Sequence, residues 1–347
     1  MTSAPPPAIV AQASEFPAIP PDVEVALRKR LGKTEGSVIV VGRRIGARSE
    51  IQVIFSEGGP RVTAHSRFEI GAITEAITGT LLADAARRGE LRLDEGIDER
   101  ARAPLQPPVP TGKHITFRDL ATHHSGLPRL PLREAAQPYA PYDRDALIAL
   151  VNAAHPPAGS AGYAPSNVDF ALLGMLLADR TGTPYAELAH NRVFVPLDMP
   201  DTTVDSTTDD RLIPERSISG KTVAPWRWNA FAPEGGVRST AADLLNFASA
   251  LFQHEDGPLA QDARVAATPT ADAGSNAGIG LGWMVDRATG TVWASGSSYG
   301  SIAFLGVVPQ RDEAVVVLSN VGLGFADMTL DDLGLKLLAS DVHDKHG

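Results

Sequence analysis

The chain has 347 residues, 43% of them hydrophobic, enough to bury a sizeable core in one large or two interleaved domains, so disorder is not the expectation. A formal net charge of -10 and a pI near 5.4 would repel a phosphate backbone or an anionic membrane surface at long range, which argues against nucleic acid and membrane and for a small-molecule or protein partner. Cysteine is absent, which excludes disulfides and thiolate metal sites and leaves the redox compartment undetermined.

Residues 1–21 are rich in Ala and Pro, with no basic n-region and no apolar h-region, and read as a flexible leader on a cytoplasmic protein. No stretch approaches the roughly 20 continuous apolar residues of a membrane span. Residues 23–31 have helical spacing and can end at Gly32, whereas 37–41, 50–55 and 61–64 read as antiparallel strands around glycine turn signals. Residues 73–88 return to helical period, with Ile77, Leu81, Leu82 and Ala85 on one face and a stop at Gly89. Gly79 inside this helix costs about 1 kcal/mol relative to alanine and reads as a close-packing position against the helical domain. Helical segments follow at 145–152, 168–180, 185–193 and 241–252, then strands at 282–286, 292–295, 302–308 and 314–319 and a last helix at 328–338. Strands at both ends with helices between imply one sheet closed by N- and C-terminal segments. The expected division is a leader (1–21), an α/β sheet domain (22–80 and 261–347) and a mostly helical domain (81–260).

Several segments carry a family resemblance. They are RFEIGAITE (67–75), ITFRDLATHHSGLPRLP (115–131), Ser166-Asn167 before FALLG (170–174), TGTPY (181–185) and PLDMPDT (196–202). Further matches are GGVRSTAADL (235–244), GIGLGW (278–283) and FLG (304–306) before a strand ending LSN (318–320). In this order the chain resembles the serine β-lactamase (class C) and penicillin-binding-protein-like hydrolase family. The resemblance implies an α/β (α+β) fold of the β-lactamase/transpeptidase type: an antiparallel sheet flanked by helices, a mostly helical domain, and an active site in the cleft between them. No cofactor and no metal are implied.

In the family a serine at a helix N-terminus attacks a carbonyl, a lysine one turn later helps take its proton, and a tyrosine and a late-strand lysine or histidine shuttle protons. At the matching positions this chain has Ala72, Glu75, Pro165 before Ser166-Asn167, and Ala294-Ser295-Gly296. A methyl group cannot form an acyl-enzyme, and a carboxylate repels an anionic substrate group where a lysine attracts it. The resemblance leaves the backbone N–H groups of Ala72 and Ser297 as an oxyanion hole, since main-chain donors do not depend on side-chain identity. Glu75, one turn on, would share that space as a base. The expected chemistry is therefore non-covalent proton transfer on a carbonyl-bearing small molecule, as in isomerisation, elimination or cyclisation.

The weaker candidates each have a plainer reading. Glu75 could simply pair with an arginine or cap a helix. Tyr163, Ser166, Asn167, Ser295, Ser298 and Tyr299 are candidates for substrate hydrogen bonding, although a tyrosine is more often a packing residue with a satisfied hydroxyl. Trp226 and Trp228 read either as an aromatic wall of the cleft or as a packed loop anchor. His123 and His124 lie in a segment that is structural in the family, and Glu234 is exposed or lines the pocket. Two other functional classes stay open: a catalytically inactive binder of a ligand or protein, and a serine hydrolase whose serine has been replaced by Ala72.

Overall fold

The computed structural model describes residues 16, 18–31, 34–99, 104–109, 112–130, 137–156, 162–204, 209–322 and 330–340. The expected leader lies mostly outside them. Helix α1 (Pro21–Leu31) precedes the hairpin β1 (Val38–Ile45) and β2 (Arg48–Phe55), the short strand β3 (Phe68–Glu69) and helix α2 (Ile73–Arg87). Helices α3 (Phe117–Ala121), α4 (Arg144–Asn152), α5 (Asn167–Thr181) and α6 (Tyr185–Ala189) follow, the last continued by a π turn, His190–Phe194. Short strands β4 (Thr203–Val204), β5 (Glu215–Arg216) and β6 (Thr222–Val223) lead to α7 (Ala232–Gly235), β7 (Val237–Ser239), α8 (Ala241–Ser249) and α9 (Pro258–Ala267). The chain then returns to strands β8 (Ala271–Asp272), β9 (Ala277–Ile279), β10 (Met284–Asp286), β11 (Val292–Ser297), β12 (Ile302–Val308) and β13 (Glu313–Ser319), with α10 (Leu330–Ser340) last.

The main sheet runs β2-β1-β13-β12-β11-β10-β9-β8, so the N-terminal hairpin completes a sheet built from the other end of the chain. Val40 faces Leu318 across the β1–β13 junction, an antiparallel pairing as expected from the terminal strand patterns. Because side chains alternate along a strand, β1 serves two cores. Ile39 and Val41 pack with Leu27 of α1 and Leu337 of α10 on one face, and Val38 and Val40 join the larger core of α2, α5 and α8 on the other. Burying a Val, Leu or Ile side chain is worth about 1.5–3 kcal/mol, so this two-faced burial anchors β1 between the two cores.

Three expectations are corrected. Residues 61–64 form no strand: the chain leaves the sheet after β2, and the Thr63 N–H turns back to the Ser66 hydroxyl at 2.9 Å. The strand expected from residue 282 starts at Met284, because Gly282 adopts φ 79° and packs against the backbone of Glu75, where an added Cβ would lie 2.4 Å from its carbonyl oxygen. The close approach at Gly79 is made not by the helical insertion but by the β9–β10 turn, since a Cβ there would lie 1.8 Å from the Leu281 carbonyl oxygen. Both contacts press the β9–β10 turn onto α2. Among the described residues no helix is long and apolar enough to cross a membrane.

Candidate active site

The tight turn Ile70-Gly71-Ala72 delivers the chain from β3 into α2 and leaves Ala72, half-buried, at the helix N-cap with no side-chain cap. A cavity of about 200 Å³ opens in front of it. Ala72 and Glu75 of α2 form one part of its lining, His123 and Arg129 after α3 another, and Tyr163, Ser166 and Asn167 at the start of α5 a third. Glu234 of α7, Met284 of β10 and Ser295 of β11 also line it. Larger depressions, about 410 Å³ beside Met175, Tyr185 and Pro233 and about 500 Å³ beside Arg264, Thr268 and Gln310, lie away from Ala72.

The two expected oxyanion donors meet through their glycine neighbours. A Cβ on Gly71, which has φ 50°, would lie 2.5 Å from the Ser297 nitrogen, and one on Gly296 would lie 2.3 Å from the Ala72 nitrogen. Ser298 N–H donates to the Ser301 carbonyl at 2.8 Å. Hydrogen-bonded and non-bonded pairs alternate along an antiparallel ladder, so Ser297, opposite Ile302, turns its N–H away from β12. Ala72 lines the cavity itself; Ser297 does not, and reaches it only through this backbone contact.

Glu75 is held by a residue that the sequence reading set aside as structural. His123 adopts a left-handed φ of 58°, and its ring sits between two carboxyls, with Nε2 3.3 Å from Glu75 Oε2 and Nδ1 3.2 Å from Asp169 Oδ2. Asp169 is fully buried and also accepts a hydrogen bond from the Ser125 hydroxyl at 2.5 Å. Burial alone would depress the imidazole, but the Glu75 charge and the hydrogen bonds that the ring donates to Asp169 and Glu75 outweigh it and raise His123 to about 10. Burial raises Asp169 to about 6 against the opposing pull of His123 and Ser125. The Ser166 N–H also approaches Nδ1, at 3.2 Å, and that contact suits a neutral ring. With a carboxyl at each nitrogen the doubly protonated ring satisfies more neighbours, and Ser166 stands ready as donor once the Nδ1 proton leaves. The ring thus has a supported state on either side of a proton transfer.

The other expected residues divide. Tyr163 lines the cavity two positions before Pro165 and directs its hydroxyl to the Met284 sulfur at 3.6 Å; burial first, then Glu75, raise its hydroxyl. The Ser166 hydroxyl donates to the Pro128 carbonyl at 2.8 Å, Asn167 accepts from Leu130 N–H at 2.9 Å, and Ser295 donates to Asp331 at 3.1 Å. Trp226 and Trp228 are not a cleft wall: both are buried and pack on Tyr139, Trp228 stacked at 4.8 Å. That is the anchor alternative. Ser298 is buried beside Glu69 and Glu215 rather than in the cavity, and Tyr299 is 49% exposed on the β11–β12 turn. Glu69 and Glu215 are both raised by burial, and the Glu69 charge raises Glu215 further.

Residues 42–339 match the family model for beta-lactamase. The chain belongs to the beta-lactamase family. It is 26% identical over 275 residues to the D-alanyl-D-alanine-carboxypeptidase/endopeptidase AmpH of Escherichia coli K12, covering 72% of this chain and 69% of that protein. It is 24% identical over 308 residues to penicillin-binding protein 4 of Amycolatopsis lactamdurans, covering 80% and 78%. Family members with solved structures share the fold: a class C beta lactamase from Rhodobacter sphaeroides superimposes with a TM-score of 0.74 at 22% identity over 92% of this chain and 97% of that one. A beta-lactamase/D-alanine carboxypeptidase from Yersinia pestis, complexed with citrate, gives 0.77 at 20% identity over 92% and 98%.

Proposed function

We propose that the cleft catalyses proton transfer on a carbonyl-bearing small molecule without a covalent intermediate. Glu75 takes the proton, and the amides of Ala72 and Ser297 hold the oxygen that gains charge. The observation carrying this reading is the placement of Glu75 and Ala72 on one cavity wall with His123 3.3 Å behind the carboxylate. A methyl group has no electron pair to attack with, whereas a carboxylate beside paired amide donors is arranged for deprotonation next to a carbonyl. His123 positions Glu75 and compensates its charge. The curated relatives are named for D-alanyl-D-alanine and penicillin, both carbonyl compounds; the proposal keeps the carbonyl and drops the acyl-enzyme.

The test is hydrogen–deuterium exchange at carbon next to a carbonyl, followed by NMR for a panel of small ketones in deuterated buffer. Wild-type protein is expected to accelerate exchange and Glu75→Gln to lose roughly 10²–10⁴ of that acceleration. Equal exchange by the two proteins removes Glu75 from the mechanism. The second reading is a binding protein without turnover. It is favoured by the cavity volume of about 200 Å³, below the roughly 300 Å³ at which ligand pockets usually begin.

A further inference from the structure

A second carboxyl lines the same cavity. Glu234 sits on α7, whose position is fixed by close packing: a Cβ on Gly174 would meet Pro233 at 2.1 Å, and one on Gly235 would meet Trp228 at 2.2 Å. Glu234 is only 8% exposed. Its carboxyl is lowered by the neighbouring Tyr139, whose hydroxyl accepts from Asn167 Nδ2 at 3.2 Å and whose ring is stacked between Trp228 and Phe231. One carboxyl oxygen, Oε2, is buried with no hydrogen-bond partner among the described residues. An ionised carboxylate with a bare oxygen in such a place is expensive. A neutral carboxyl has an O–H to offer instead.

The groups around Glu234 favour that neutral form. Burial raises its carboxyl first and the Glu75 charge on α2 raises it further, while Tyr139, Arg129 and His123 pull the other way; the outcome lies well above the ordinary carboxylate range. Two carboxyls in one cavity, one beside an imidazolium and one held neutral, form the pattern in which acid and base roles separate.

We propose that Glu234 is the proton donor of this cavity and that the ligand class is a β-hydroxy carbonyl compound, which the site dehydrates or forms by the reverse hydration. The proposal rests on the proton-transfer reading above. Glu75 takes the proton from the carbon next to the carbonyl, the C–H electron pair becomes the new carbon–carbon double bond, and the bond to the β-hydroxyl breaks. The departing oxygen takes its proton from Glu234 and leaves as water. Glu75 ends protonated and Glu234 ionised, and one proton passed between them through solvent or ligand restores the start. The Ala72 and Ser297 amides hold the carbonyl oxygen throughout, so acid and oxyanion hole serve different ligand oxygens.

The first test needs no substrate. Infrared difference spectra of wild type minus Glu234→Gln at neutral pH should show the carbonyl stretch of a protonated carboxyl, and the subtraction removes the bands of Asp169 and Glu215. The absence of such a band overturns the proposal. If Glu234→Gln does not fold, Tyr139→Phe serves. Tyr139 lowers the carboxyl, so the band should persist to higher pH than in wild type, and its failure to do so counts equally against the proposal. The second test uses 4-hydroxy-2-butanone in deuterated buffer. Exchange at carbon needs Glu75 alone, while loss of the hydroxyl needs both carboxyls. Glu234→Gln should keep the exchange and lose at least tenfold in elimination, and Glu75→Gln should lose both. Exchange by wild type without elimination overturns the role of Glu234, whereas neither reaction by wild type counts against the proton-transfer reading itself.

Discussion

Glu75 and His123, 48 positions apart in the chain, form a partly buried pair with Nε2 3.3 Å from Oε2. The pair couples α2 to the segment after α3 and puts the ring's charge directly behind the carboxylate. Because the Glu75 charge is the largest influence raising His123, removing that charge should move the ring. In Glu75→Gln the imidazole is expected to titrate below its wild-type value of about 10, as followed by ¹⁵N NMR of the histidine nitrogens. An unchanged titration would mean that Asp169 alone holds the proton.

Restoring the hydroxyl should not restore acylation. In Ala72→Ser the new oxygen would face a carboxylate already paired with His123, with no lysine one turn on and with Ala294-Ser295-Gly296 on the late strand. Intact-protein mass spectrometry after incubation with penicillin should show no stable adduct in either protein. A stoichiometric adduct in the variant would mean that Glu75 and His123 suffice to activate a serine.

Much of this was readable in the residues, and the reasons are local. Strand 302–308 and its partner are runs of β-branched and apolar residues buried on both faces, so pattern alone located them. Ala72 and Glu75 were legible because the motif around them fixes a strand-to-helix turn. The roles of His123 and Glu234 were not, since one depends on a contact with a residue 48 positions away and the other on burial and on the charge of a residue 159 positions away, and φ 58° at His123 leaves no mark in the sequence. One signal was available: an anion at 75 in a matched segment calls for a compensating cation, and His123 and Arg129 lie in the neighbouring motif. Residues 61–64 misled because β-propensity does not show whether a sheet edge is free to receive a strand.

The proposed oxyanion wall rests on two glycines, Gly71 and Gly296, that allow close backbone contact. A methyl group on Gly296 would lie 2.2 Å from the Ile70 carbonyl oxygen and 2.3 Å from the Ala72 nitrogen, so β11 would have to move away from α2. Gly296→Ala should lose about 1–3 kcal/mol of stability, the usual result of overpacking, measured by urea unfolding. It should also lose carbonyl-directed exchange, because the two amides no longer converge. Stability lost with exchange retained would show that the amides take no part.

The His123 cluster also sets a pH dependence of folding. His123 has a folded value of about 10 against an ordinary 6.5, so the stability it contributes is fully present below about 6.5 and is lost as pH rises through about 10. Asp169, raised from 3.8 to about 6, has the same sign: its contribution is complete below 3.8 and lost as pH passes about 6. The Asp169 loss is largely over by neutral pH, so the His123 loss is the one that should lower the urea midpoint of the wild type between pH 7 and 10. Asp169→Ala should be destabilised by about 3–5 kcal/mol at neutral pH, the usual effect of leaving a buried charge without its partner. It should also lose much of the alkaline slope, because its imidazole no longer holds a proton to so high a pH. A variant as stable as wild type at pH 7 would show that the ring is neutral and that the Ser166 N–H, not Asp169, is the partner of Nδ1.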